Sequence, residues 1–337
     1  MISSFRRWSS RALAPAAALA LLALAASAQT LKLATLVPEG SVWDKSMREL
    51  GAAVQQATAG RVKFLIYPGG VAGDEPDVLR KMRIGQLQGG LFSASGLGDI
   101  DPAFYLFQVP LLLETDAEVE LILSRMRTTL SQRLAAKGCV LVQWSNVGWL
   151  RFFGSKPITS FDDFKRRKQF VWGTDGRLAS WYQQLGLTPV SLSGGDVFTG
   201  LETGLIECLP ATPLAALSLQ WFRPAPHMLD HRFAPLLGGL VLTQASWAKL
   251  SADDQATFLR LAQASEEQLF AQIPELEREA LAEMKKRGLE VVTEPASDAE
   301  KWLALGRSFQ ELFRTHTVPP EIFDQAKALL EEHRSSR

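Results

Sequence analysis

Leu31-Lys-Leu-Ala-Thr-Leu36, Val62-Lys-Phe-Leu-Ile-Tyr67 and Gly89-Gly-Leu-Phe-Ser-Ala94 are the three runs whose reading decides the fold. The first alternates and meets Pro38-Glu-Gly40, the second ends at Pro68-Gly-Gly70, and both read as strands. Two helical stretches lie between the three runs. Ser41 caps one that continues to about Ala57, with Trp43, Met47, Leu50 and Val54 at helical spacing. The other runs from Asp74 to Ile84 and stops at Gly85. Strand, helix, strand, helix, strand implies a parallel sheet with helices on its faces.

Working outward, Ser95-Gly-Leu-Gly98 reads as a loop, Ala117 to Lys137 as a helix and Cys139 to Trp144 as a strand. A second lobe is expected to begin near Arg151. Its strands are Phe170-Val-Trp172, Thr188-Pro-Val190 and Leu205-Ile-Glu-Cys208, with helices over Leu178–Leu185 and Phe198–Gly204. The apolar run Leu237 to Leu242 returns the chain to the first lobe. Ser251-Ala-Asp-Asp254 starts a helix with a cap and acids in its first turn. Long helices follow over Asp253–Lys286, Asp298–Arg314 and Glu321–His333, and Pro274 should kink or break the first. This is an α/β chain of two lobes, a first of residues 29–150 plus about 238–265 and a second of 151–237 plus about 266–337.

The N-terminus has the three parts of a secretory signal. Arg6, Arg7 and Arg11 supply positive charge, Ala12 to Ala26 is apolar but too short to span a bilayer, and Ala26-Ser27-Ala28 is a small-residue cleavage site. Cleavage after Ala28 implies a periplasmic protein. Residues 1–28 hold three of the 36 basic residues and none of the 36 acids, so the remainder carries a net charge of −3. That excludes the basic surface nucleic acid needs. Cys139 and Cys208 are the only cysteines and read as two buried thiols; an oxidising compartment also permits a disulfide between them.

Little points to enzymatic chemistry. His227 and His231 are four apart, but Pro224 and Pro226 argue against a helix, and the pair reads as loop histidines, not metal ligands. No Gly-x-Ser-x-Gly elbow and no phosphate loop occur, and Gly194-Gly195 reads as a turn. Arg166-Arg-Lys168 reads as a solvated turn. Trp43, Trp144, Trp149, Trp172, Trp181 and Trp221 are candidates for core or for a pocket.

Gly148-Trp-Leu-Arg151, Lys156-Pro-Ile158 and Asp162-Asp-Phe-Lys165 resemble a stretch of the substrate-binding subunits of tripartite ATP-independent periplasmic (TRAP) transporters, mostly carriers of small organic acids. Thr35 to Trp43, Arg61 to Gly70 with Gly73-Asp-Glu75, Phe107 to Leu111, Leu185 to Val190, Gly200 to Gly204 and His231 to Asp254 extend the resemblance over most of the chain. It implies two α/β lobes with a ligand cleft between them, as in a periplasmic binding protein, joined by crossing segments and a long helix. Clefts at strand ends are where such folds bind ligands. It also implies no catalysis and no cofactor.

The resemblance implies site residues by position. One family arginine, which clamps a ligand carboxylate, is retained as Arg151. The second is replaced by Phe170, a proline by Trp172 and a ligand-facing asparagine by Ala211. Phe198, Ser95 and Trp43 complete the expected lining. These apolar replacements suggest an acid with a hydrophobic body, in the manner of the branch that works with tetratricopeptide-repeat partners. An ordinary small acid held by Arg151 and Arg177 is the alternative. A secreted α/β enzyme and an interaction protein with an empty cleft are the readings from other classes. The partners implied are the TRAP membrane subunits and a small-molecule ligand.

Overall fold

The computed structural model describes residues 28–173 and 176–336, so the leader expected over residues 1–28 lies, but for its last residue, outside the described residues. In chain order the elements begin β1 (Gln29–Thr35), α1 (Val42–Ala57), β2 (Val62–Tyr67), α2 (Glu75–Arg83), β3 (Gly89–Ser93) and α3 (Ala94–Ile100). A 3-10 segment over Pro102–Gln108 leads to α4 (Asp116–Ala136), the long strand β4 (Cys139–Gly154), α5 (Phe161–Arg166), β5 (Lys168–Trp172) and α6 (Gly176–Gln184). Then come β6 (Thr188–Leu192), α7 (Val197–Glu202), β7 (Cys208–Ala211), α8 (Pro213–Ser218), the second long strand β8 (His227–Thr243) and α9 (Gln244–Trp247). The chain closes with α10 (Ala252–Lys286), β9 (Glu290–Val292), α11 (Ala299–His316) and α12 (Pro320–Ser335).

One sheet runs through the molecule in the order β2-β1-β3-β8-β4-β7-β5-β6, with β9 beside β8. β1, β2 and β3 are parallel to one another, and so are β5, β6 and β7. β8 is antiparallel to both β3 and β4, and β4 is antiparallel to β7. The two parallel sets therefore point toward each other. Their C-terminal ends face across the middle of β4 and β8, which run through both lobes. The ladder between these long strands shifts register between Asn146 and Trp149 and again between Leu150 and Phe152. The crossing is where regular pairing breaks.

Several elements depart from the sequence reading. Ser95 to Gly98 is helix, not loop, because the Ser93 hydroxyl caps the Gly96 N–H and overrides the weak propensity of two glycines. The third strand of the second lobe starts at Cys208 rather than Leu205; Ile206 instead fills the core beneath α7. His227 and His231 lie on β8, since the two prolines precede the strand instead of interrupting it. α10 continues through Pro274, as Leu269, Ile273, Ala280 and Met284 are buried on both sides of it and hold the helix against the sheet. Helix α12 packs on α4, on the 3-10 segment and on α11. Its Arg334 forks onto Glu118 at 2.8 and 3.0 Å. Cys139 and Cys208 are both buried and unpaired. The caps read at Ser41 and Ser251 are present, each accepting from the N–H three residues on.

Candidate ligand-binding cleft

The facing strand ends bring several of the expected residues to one region of the sheet. Trp172 ends β5, Ala211 ends β7, and Arg151 lies opposite Ala211 on β4. Ser95 and Arg177 sit in the first turns of α3 and α6, and Phe198 in that of α7. The N-termini of α1, α3, α6, α7 and α8 follow strand ends, so the positive ends of their backbone dipoles approach the cleft from both lobes.

Arg151 is the buried cation of this region. Its side chain is 12 % exposed, with Nε 3.4 Å from Asp230 Oδ1 and Nη1 3.7 Å from Glu277 Oε1. Neither nitrogen makes a hydrogen bond within the protein. Glu277, on α10, accepts from the Trp149 N–H at 3.0 Å, where the β4–β8 ladder is interrupted. Burial raises the Glu277 carboxyl above its usual range, and the Arg151 charge offsets part of this. Gly148 is required beside it. Its φ is +100°, and a Cβ there would come within 2.5 Å of the Glu277 carboxyl carbon. Arg232 stacks 4.9 Å over the Trp149 ring, whose Nε1 donates to Asp116 at 2.6 Å. Arg232, Asp230 and Glu277 carry no motif in the sequence, so only the meeting of β4, β8 and α10 reveals them.

The aromatic candidates divide. Phe170 is 1 % exposed and packed among Phe153, Val197 and Leu209, so it belongs to the core of the second lobe and does not line the opening. Its neighbour two residues on, Trp172, is 48 % exposed, rests on Gly194 and meets the Phe170 ring edge-on at 5.2 Å. Trp43 is buried under α1 and ties the crossing down by donating to the Asn146 carbonyl at 2.9 Å. Trp144, Trp149, Trp181 and Trp221 are all core. Phe198 is half-buried against the same cluster as Phe170, Ser95 is half-buried, and Ala211 is buried. Arg177 is exposed and reaches the Tyr105 ring of the first lobe at 4.4 Å. Among the described residues no cluster suits a metal ion, and no helix is long and apolar enough to cross a membrane.

Residues 33–314 match the model of the bacterial extracellular solute-binding protein family 7. The chain belongs to that family. Among curated relatives, the ectoine-binding periplasmic protein TeaA of Halomonas elongata is 26% identical over 300 residues, covering 86% of each chain. The 2,3-diketo-L-gulonate-binding periplasmic protein YiaO of Escherichia coli is 24% identical over 265 residues, 77% of this chain and 79% of the relative. A solved TRAP periplasmic solute-binding protein from Xanthobacter autotrophicus, with bound β-D-galacturonate, superposes with a TM-score of 0.81 at 20% identity. It covers 88% of this chain and 99% of that one. A Bordetella pertussis receptor binding pyroglutamic acid gives 0.81 and 20%, over 89% and 100%. The two-lobed α/β fold is thus that of TRAP periplasmic binding proteins. Family 7 proteins bind solutes, so this chain is a binding protein, not an enzyme.

Proposed function

We propose that the chain captures a small organic acid between its lobes, by closing them, and delivers it to TRAP membrane subunits. The observation that carries this reading is Arg151, a buried guanidinium with two donors lacking hydrogen-bond partners at the crossing of the lobes. Unsatisfied buried donors are costly, and a ligand carboxylate supplies the missing acceptors through charge-assisted bonds. Helix N-termini on both sides add favourable potential for an anion. The acids carried by solved family members, galacturonate and pyroglutamic acid among them, agree with it.

Trp172 is the residue we assign to the ligand body. Its indole is held by Gly194 and Phe170 and offers an apolar face at the end of β5. The ligand is accordingly an acid with one flat or apolar side. Phe170, a core contact, lends no weight to a more hydrophobic cargo or to the tetratricopeptide-repeat partner which that cargo suggested. A thermal-shift panel of D-glucuronate, succinate, octanoate and a neutral sugar tests the reading, because a ligand that binds only the folded state raises the melting temperature. An acid should stabilise the wild type and fail to stabilise Arg151→Ala. Stabilisation by the neutral sugar alone would remove the acid from the proposal.

A further inference from the structure

Tyr105 is a core residue of the first lobe, 4 % exposed, on the 3-10 segment that follows α3. Its ring lies directly on Gly98, where a Cβ would meet Cε1, Cε2 and Cζ at 2.7 Å. Its hydroxyl donates to Asp99 Oδ1 at 2.5 Å. Burial, with Asp99 adding to it, keeps that hydroxyl protonated far above the usual tyrosine range. The ring is thus fixed by backbone contact and by a strong hydrogen bond, before anything from the other lobe arrives. What arrives is Arg177, exposed in the first turn of α6, with its guanidinium carbon 4.4 Å from the ring centroid. α6 belongs to the second lobe, where it packs along β6, and is further anchored by Trp181 meeting Phe313 edge-on and Tyr182 meeting Phe309 at a tilt, both on α11. The contact therefore joins the two lobes beside the strand ends that form the cleft.

We infer that Arg177 is a positioning residue for lobe closure, latching the second lobe onto the Tyr105 ring of the first. Asp99 tunes the latch. Its carboxylate accepts a hydrogen bond from the phenol O–H, holds the ring in place and makes its face more negative, which favours a guanidinium over it. The inference rests on the capture proposed above and deepens it, since a contact between the lobes favours their closed arrangement. Its test requires no ligand, so it fails or stands independently of what the cleft binds.

Spin labels on Lys63→Cys and Glu202→Cys, both exposed and one on each lobe, report the distance across the opening. The native thiols Cys139 and Cys208 are buried and do not compete for label. Pulsed dipolar spectroscopy on the purified protein should show a short and a long distance. Arg177→Ala should lower the short-to-long ratio about 2- to 30-fold, the range a cation over an aromatic ring contributes. Arg177→Lys, which keeps a cation, should recover much of the loss, whereas Arg177→Gln should not. Arg177 is exposed and its replacement leaves the core intact, so a change in folding does not obscure the result; Asp99→Asn, also at an exposed position, should shift the ratio in the same direction by less. Superimposable distance distributions for wild type and Arg177→Ala would overturn the latch.

Discussion

Helix α10 presents two buried glutamates to β4, three turns apart, and they do the same job with different completeness. Glu266 accepts from the Trp144 N–H at 2.8 Å and is hydrogen-bonded by Arg127 of α4. Glu277 accepts from the Trp149 N–H at 3.0 Å, but its cation, Arg151, stands at 3.7 Å without a hydrogen bond. The cations differ as well. Arg127 is 42 % exposed, so water satisfies its remaining donors, while Arg151 is 12 % exposed and has no such recourse. Burial raises both carboxyls above the ordinary range, and each cation and N–H partly offsets this. The first clamp is a finished structural contact. The second is left incomplete where the ladder breaks and the lobes meet, and it is there that we place the ligand carboxylate.

The largest expected effect breaks the comparison at its open end. Arg151→Ala should weaken the acid identified in the thermal panel by about 2–5 kcal/mol, since it removes a desolvated charge partner. Titration calorimetry reads this directly. An unchanged affinity would make the second clamp as purely structural as the first.

A smaller effect is expected at the closed end. Glu266→Ala leaves the Trp144 N–H buried without an acceptor and should cost about 1–3 kcal/mol of folding stability. Urea unfolding measures it, and affinity for the acid should stay within twofold. A variant that unfolds at the wild-type midpoint would show that the finished clamp contributes nothing.

The smallest effect sharpens the comparison through pH. Glu277 has a folded pKa above its unfolded one, so the folded state holds its proton to higher pH than the unfolded chain does. Its ionisation therefore lowers stability as pH rises from the unfolded value, 4.5, through the folded one. Glu277→Gln lacks this term, so the stability of the variant relative to wild type should improve between pH 4.5 and 8. Carboxyls with lowered values, such as Asp254 beside Arg61, behave oppositely and lose stability as pH falls. A difference that stays flat with pH would mean that Glu277 is ionised freely and that the second clamp costs nothing to keep open.

Two of the residues proposed for the site could be named from position alone. Arg151 and Trp172 come from residue-by-residue resemblance, and both stand where two opposed sets of strands end. Phe170 was misread because a strand alternates its faces relative to neighbours the sequence does not name. Its ring enters the core under α7 and α8, and only the exposed end of β5 turns outward, at Trp172. Asp230, Arg232, Glu277 and Tyr105 were not legible. They lie 46 to 126 residues from Arg151 or Arg177 along the chain, and no spacing rule links positions so distant.

Local chemistry in the sequence determined the strands β1 to β3, the helix starts at Ser41 and Ser251 and the succession that makes an α/β chain, because alternation, caps and turn residues act within a few positions. Family membership was likewise carried by ordered motifs. Only the tertiary structure decided that α10 survives Pro274, that α12 packs against α4, and that Arg151 keeps two donors without hydrogen bonds while Arg127 bonds Glu266. Those outcomes depend on what is buried against what, and burial is set by elements remote in sequence that meet only in the folded chain.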